Sequence, residues 1–204
     1  MSLVVDVVLA AGGVAIGRWL ARTWREGDRA RPVAAGEGET RPPERAGNGN
    51  FPCDLGDVVV RVMERDEAWL AGALSFSEDG PIAALFVAPE AGADRAVFAR
   101  EGEDGLLWLG ALPAGEITPT QDPPHALEHG GAHFERLRRW PVGVRRLGTG
   151  VPTVGEKAIL AEYAGPGEER LLVVAGADRT MGWRGVALRR ADYDVLPGSK
   201  RTVG

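Results

Sequence analysis

The chain has very little cysteine: Cys53 is the only one among 204 residues. A single thiol makes no internal disulfide and leaves no partner for a cysteine-rich metal site. Such a composition fits a reducing compartment such as the cytoplasm. No motif around Cys53 supports a nucleophile, so we do not expect one there.

Lysine is also scarce, occurring only at Lys157 and Lys200, and the formal net charge is −5. An acidic balance argues against nucleic acid as a partner. The remaining basic residues are arginines, and together with abundant Ala, Gly and Val they indicate a GC-rich bacterial genome.

The sequence lacks the common catalytic signatures. It has no Gly-x-Ser-x-Gly motif, no Walker-type loop and no dinucleotide fingerprint. Gly148-Thr149-Gly150 has no following lysine and is interpreted as a turn. We therefore expect a non-enzymatic protein with no cofactor.

What the sequence does have is an almost continuous apolar run from residue 3 to residue 20. A helix of this length spans about 27 Å at about 1.5 Å per residue, close to the hydrocarbon thickness of a bilayer. We predict a membrane anchor with tryptophans at the interface. The anchoring residues are Leu3, Leu9, Ile16, Trp19, Leu20 and Trp24. A cleaved signal peptide and a helix packed on a soluble domain are the alternatives.

The charges around this run predict its orientation. No Lys or Arg precedes it, whereas arginines follow at positions 18, 22, 25, 29 and 31. The positive-inside rule then places everything after the helix in the cytoplasm. The expected location is the bacterial inner membrane, crossed once, with the C-terminal domain in the cytoplasm.

Gly13 and Gly17 form a Gly-x-x-x-Gly pair within the run. Such pairs allow two transmembrane helices to pack closely. The pair is compatible with a homo-oligomer formed through the helix, although it is common by chance in Ala- and Gly-rich segments.

Composition divides the rest of the chain. Residues 26–52 are rich in Gly, Pro and charge and predict a flexible linker after the helix of residues 1–25. Residues 53–198 alternate short apolar runs with Gly, Pro and Asp turns, and 199–204 form a tail. This rhythm predicts a mainly β fold, an antiparallel sandwich or barrel. The predicted strands are 57–64, 69–76, 82–88, 95–101, 105–110, 132–140, 142–147, 157–164, 170–175, 182–189 and 192–196.

A five-residue sequence, Ala-Gly-Ala-Asp-Arg, occurs twice. It spans residues 91–95 and 175–179, each time after an apolar strand. This repeat suggests two similar β-halves on either side of a proline-rich connection at residues 111–131.

The order of short motifs resembles a known family. Leu55-Gly56-Asp57-Val58-Val59 opens the domain, Trp108-Leu109 ends its first half, and Glu162-Tyr163-Ala164-Gly165 and Val195-Leu196-Pro197-Gly198 follow. In this order, residues 53–198 resemble the bacterial domain-of-unknown-function family numbered 4178. The resemblance implies a β-rich fold, a link to membrane or envelope-stress proteins, and no established chemistry.

All three histidines, His125, His129 and His133, fall within nine residues. On a helix this spacing would stack three imidazoles as zinc ligands. Gly130-Gly131 would break that helix, which favours a solvated connection followed by a strand. The histidines are therefore weak metal candidates, and the alternative function is a metal-binding or enzymatic module built on them.

Arg136, Arg138 and Arg139 form a basic stretch next to Trp140. In a strand, Arg136 and Arg138 would share a face and present a positive ribbon to an anionic partner. An ordinary exposed face paired with Asp and Glu is the favoured interpretation. Trp69, Trp108, Trp140 and Trp183 are expected to be core or sheet-packing residues and not ligand platforms. The leading hypothesis is a membrane-tethered β-domain that binds an unidentified protein partner.

Overall fold

The computed structural model describes residues 50–90 and 93–198. The predicted helix of residues 1–25, nearly all of the linker and the tail lie outside these residues. So do the predicted anchor residues and the glycine pair: Leu3, Leu9, Gly13, Ile16, Gly17, Trp19, Leu20 and Trp24. Across residues 50–90 and 93–198, no helix is long and apolar enough to cross a membrane.

Twelve strands and one 3₁₀ turn, at Arg190–Asp192, make up the described fold. The strands are β1 (Val58–Arg61), β2 (Glu67–Trp69), β3 (Gly72–Ser77), β4 (Pro81–Glu90), β5 (Ala93–Arg100), β6 (Leu106–Ala111), β7 (Ala126–His129), β8 (Ala132–Gly148), β9 (Lys157–Ala164), β10 (Glu169–Gly176), β11 (Thr180–Leu188) and β12 (Tyr193–Leu196).

Eight of these strands close into an antiparallel barrel. The strands β3 to β6 form one meander and β8 to β11 form a second. The first strands of the two meanders pair with each other, β3 with β8, and so do the last strands, β6 with β11. The prediction of a sandwich or barrel is thus resolved as a barrel whose two four-stranded halves share one interior.

Glycine allows the strands to approach closely at both junctions between the meanders. A Cβ on Gly72 in β3 would lie 2.2 Å from the carbonyl oxygen of Thr149. A Cβ on Gly185 in β11 would lie 1.9 Å from the carbonyl oxygen of Trp108 in β6. Both contacts are far inside van der Waals distance, so only glycine fits at these positions.

Apolar side chains form three buried clusters. The barrel interior is filled by large residues such as Phe76, Phe98 and Trp183. A second cluster lies outside the first meander, beneath a small sheet of order β12-β1-β2. The third lies outside β9 and β10, beneath the connection from β6 and the β7–β8 hairpin, and contains Ile117 and Phe134.

The predicted strands agree closely with the observed ones. The run Leu171–Val174 is apolar throughout and lies in the strand predicted at 170–175, and all four side chains are fully buried. This follows because one face of β10 lines the barrel and the other meets the third cluster.

Four features differ from the prediction. The strand predicted at 57–64 ends at Arg61. The strand predicted at 69–76 is divided, because Trp69 ends β2 and β3 begins at Gly72. The connection at 111–131 contains β7. The strands predicted at 132–140 and 142–147 are one strand that runs through Pro141. Pro141 lies between the part of β8 that pairs with β7 and the part that pairs with β3, where a missing backbone N–H is tolerated.

The two copies of the Ala-Gly-Ala-Asp-Arg repeat do not occupy equivalent positions. The first copy ends with Ala93–Arg95, which begin β5, the third strand of the first meander. The second copy begins with Ala175 and Gly176, which end β10, and continues into the connection before β11, the last strand of the second meander. The chain has two four-stranded meanders, but the repeat does not map one onto the other.

Candidate functional site

The three histidines lie on the β7–β8 hairpin, whose turn is Gly130-Gly131 with φ of 58° and 75°. These positive φ values suit a tight hairpin turn, so the glycines that excluded a helix build the hairpin instead. His125 and His129 lie on the face that carries the buried Phe134, because positions two apart share a face. His133 pairs with Glu128 on the opposite face.

Each histidine has its own partners. His129 Nε2 lies 2.7 Å from Glu116 Oε2, and its Nδ1 lies 3.4 Å from the Arg184 guanidinium. His133 Nδ1 lies 2.6 Å from Glu128 Oε1. The hairpin does not bring together the three predicted zinc ligands, His125, His129 and His133. Strand alternation places His133 on the other face of the hairpin. Within residues 50–90 and 93–198, no three His, Cys, Asp or Glu side chains converge as a metal site.

The arginines of the predicted basic stretch are also separated. A bulge between Arg136 and Arg138 leaves Leu137 as an extra, exposed residue. Arg136 therefore pairs with Tyr163, which faces outward, whereas Arg138 pairs with Glu162, which faces the barrel interior. The prediction that Arg136 and Arg138 share a face is wrong for this reason.

Each of these arginines has a polar partner nearby. Arg136 Nη1 donates to the Pro123 carbonyl at 2.5 Å, and Arg138 Nη1 donates to Glu103 at 2.8 Å. Arg139 Nε donates to Asp122 at 2.8 Å. This is the favoured interpretation from the sequence, an exposed face paired with local acceptors.

One end of the barrel contains a network of alternating charges. Glu162 on β9 is 2% exposed, and Arg100 Nη1 on β5 donates to both of its carboxylate oxygens at 2.7 Å. Arg100 also contacts Glu103, which accepts from Arg138. Every charge in the chain Glu162–Arg100–Glu103–Arg138 therefore has an opposite neighbour.

The network shifts the protonation of its members. Burial acts to lower the pKa of Arg100, but the hydrogen bonds and charges of Glu103 and Glu162 outweigh it and raise that pKa. The hydrogen bond from Arg100 lowers the pKa of Glu103, and the hydrogen bond from Arg138 acts in the same direction. Both shifts favour the charged forms of Arg100 and Glu103, and the ion pairs of the network link β5, β8 and β9 at this end.

Two other buried groups have raised pKa values. Burial, with the charges of Asp57 and Asp54, raises the pKa of the Cys53 thiol well above its usual range. A neutral buried thiol is a poor nucleophile. Burial raises the pKa of Tyr163 to about 12, and its hydroxyl donates to the Pro124 carbonyl at 2.8 Å.

The free face of the small sheet has a row of apolar side chains, two of which are mostly exposed. Trp69, Val58 and Leu196 lie side by side in register across β2, β1 and β12. Trp69 is 59% exposed and Leu196 is 53% exposed, because the opposite face of this sheet covers the core. Of the tryptophans expected to pack in the core or on a sheet, Trp108 and Trp183 are buried, whereas Trp69 lies on the sheet face opposite Val58 and is mostly exposed.

The next row of the same face is acidic. Glu67 and Asp194 lie opposite Val60, one on each side. Since positions two apart share a face, this row borders the apolar row directly. We call the two rows together the sheet patch. The sequence gives only a weak signal for it, since β2 is three residues long and shows no extended alternation.

Comparison with known proteins adds no assignment. No family model, no curated protein and no solved structure matches the chain. The resemblance of residues 53–198 to the family numbered 4178 stays a prediction.

Proposed function

We propose that this chain is a membrane-tethered, non-enzymatic β-domain that binds a protein partner at the cytoplasmic face of a bacterial inner membrane. The observation that carries the proposal is the sheet patch. An exposed apolar row that contains a tryptophan and a leucine, here Trp69 and Leu196, is typical of an interaction surface, since tryptophan is enriched at binding hot spots.

The charges of the patch define the partner's chemistry. Glu67 and Asp194 border the apolar row of Trp69, Val58 and Leu196. A complementary surface has an apolar centre with basic side chains beside it. Anionic lipid headgroups would be repelled by the same two carboxylates, so the patch favours a protein over the membrane surface.

The N-terminal sequence supports the location. The apolar run at residues 3–20 and the arginines that follow it favour a helix inserted with its C-terminal end inside. A linker rich in Gly and Pro would give the barrel freedom to reach a partner near the membrane. The placement of the histidines gives no support to the alternative of a metal-dependent module.

The partner surface is tested by site-specific photo-crosslinking in native membranes. A photoreactive phenylalanine replaces Trp69 in one variant and Leu137 in a matched control. Leu137 is equally exposed, at 52%, but lies at the β8 bulge away from the patch. We expect a defined crosslinked protein from position 69 and none from position 137.

Charge reversal gives the second arm of this experiment. Glu67→Lys combined with Asp194→Lys should abolish the crosslink at position 69, while Arg139→Glu should leave it unchanged. Equal crosslinking from positions 69 and 137, or a crosslink that survives the charge reversal, would refute the proposed surface.

A further inference from the structure

A pocket of about 230 Å³ lies where β5 and β11 begin. On β5, the charged network lies at the other end of the strand, at Arg100. Its apolar lining includes Val87, Met181 and Trp183 from the strand ends and Ile117 from the connection after β6. Small-molecule sites are typically concave, mostly apolar and equipped with a few polar groups. The size suits a compact ligand with one ring or a branched aliphatic group.

Trp183 forms one wall of the pocket. Its side chain is only 4% exposed and belongs to the apolar cluster of the barrel interior. Aromatic rings offer large and rigid apolar surfaces. The pocket therefore has an aromatic wall against which the apolar part of a ligand would pack.

Two opposite charges lie at the pocket rim on two different hairpins. Asp94 belongs to the β4–β5 hairpin and Arg179 to the β10–β11 hairpin, and both line the pocket. Both are exposed. Arg95 also contributes to the lining, but its guanidinium lies 3.4 Å from Asp66 and 5.5 Å from the ring of Trp108.

These rim residues come from the two copies of the Ala-Gly-Ala-Asp-Arg repeat. One copy supplies Asp94 and the other supplies Arg179. The repeat, which does not relate the two barrel halves, therefore brings its charged ends to a shared pocket.

We propose that this pocket binds a small zwitterion with an apolar side chain, a compact α-amino acid. The apolar group occupies the space lined by Val87, Met181 and Trp183. The carboxylate faces Arg179 and the ammonium faces Asp94. The site is separate from the sheet patch and would give the domain a ligand-sensing role.

The test uses the full chain, with ¹⁵N-labelled tryptophan, and a series of three related probes. Phenylalanine carries both charges, 3-phenylpropanoate lacks the ammonium, and phenethylamine lacks the carboxylate. Binding is followed by the indole resonance of Trp183, assigned with Trp183→Phe. We expect phenylalanine to give a saturable shift at this resonance and to bind about twofold to fivefold more tightly than either single-charge probe, as exposed ion pairs allow.

Two rim variants separate the contributions of the charges. Arg179→Gln should weaken the binding of phenylalanine and 3-phenylpropanoate about twofold to fivefold and leave the binding of phenethylamine unchanged. Asp94→Asn should weaken phenylalanine and phenethylamine instead. Arg189→Gln is the matched control, since Arg189 lies just beyond the other end of β11, roughly 30 Å along the strand at about 3.3 Å per residue.

Ala114→Trp tests the cavity itself. Ala114 is an exposed loop residue that lines the pocket, so the larger side chain blocks the space without disturbing the core, and all three probes should lose binding. Absence of a saturable Trp183 shift, or equal binding of the three probes, would overturn the proposal. An unchanged preference in both rim variants would also overturn it.

Discussion

At the scale of single residues, the buried Glu162–Arg100 ion pair is expected to affect the free energy of unfolding. Glu162 is 2% exposed, and its two oxygens both accept from Arg100. Glu162→Gln removes one charge and leaves the other partly desolvated, which typically costs about 3–5 kcal/mol. We expect the lower end, about 3 kcal/mol by urea unfolding, because Arg100 keeps Glu103 as a partner.

The double variant Glu162→Leu, Arg100→Met is the control for this prediction. Replacing both charges by apolar groups of similar size should restore most of the lost free energy of unfolding, since a buried ion pair gains little over good packing. A double variant that is less stable than Glu162→Gln would contradict this account.

The raised pKa of Tyr163 predicts how the free energy of unfolding changes at alkaline pH. Its pKa is raised to about 12 in the folded chain, from an ordinary value of about 10. The folded state therefore holds its proton more tightly than the unfolded state. The resulting stability is fully present below pH 10 and is lost as the pH rises through about 12.

This loss is measured by urea unfolding between pH 8 and pH 12, alongside tyrosinate absorbance. Tyr163→Phe should flatten the stability profile above pH 10. The remaining slope from tyrosine should disappear in Tyr163→Phe, Tyr193→Phe, because burial also raises the pKa of Tyr193. Ionisation of Tyr163 near pH 10 in the folded protein would show that the hydroxyl is not buried as described.

At the scale of elements, glycine governs how the two meanders join. Gly185→Ala would push a methyl group into the carbonyl of Trp108, only 1.9 Å away, and the backbone of β6 would have to move. We expect a cost of about 3 kcal/mol, at the upper end for overpacking, measured by thermal or urea unfolding. Gly80→Ala is the matched control, since a Cβ there meets no atom within 4 Å, and it should change stability by less than about 0.5 kcal/mol.

The periodicity of apolar residues was sufficient to predict most strands, because one or both faces of each of these strands are buried. The run Leu171–Val174 is predictable since it is apolar throughout, and it is covered on both sides. Strand pairing was not predictable, because the β3–β8 and β6–β11 pairings join residues that are far apart in sequence.

Two local features explain why the candidate sites were harder to predict. Whether His133 and His125 lie on the same face depends on which residues pair across the β7–β8 hairpin. The spacing of the histidines in the sequence does not give this register, so their separation could not be predicted. The bulge at Leu137 places Arg136 and Arg138 on opposite faces of β8, and no turn-forming residue marks its position in the sequence. Residue type alone did not distinguish a buried tryptophan from Trp69, whose three-residue strand at a sheet edge leaves its outer face exposed.

At the scale of the whole molecule, fractionation separates a membrane anchor from the other roles of the N-terminal segment. We expect the full chain to sediment with membranes and to resist extraction by alkaline carbonate. A chain that begins at Phe51 should stay in the supernatant. Recovery of the full chain from the supernatant without detergent would rule out the anchor.

The topology of the full chain is the remaining prediction at this scale. The arginines at positions 18, 22, 25, 29 and 31 should hold the C-terminal side of the apolar run in the cytoplasm. Protease added to intact spheroplasts should leave the barrel undigested, and lysis should expose it. Substituting Asn for all five arginines and inserting three arginines before Leu3 should invert the chain, because orientation follows the charge difference between the two flanks. Digestion of the unaltered barrel in intact spheroplasts would place it outside the cytoplasm and would exclude the proposed partner surface from the inner face of the membrane.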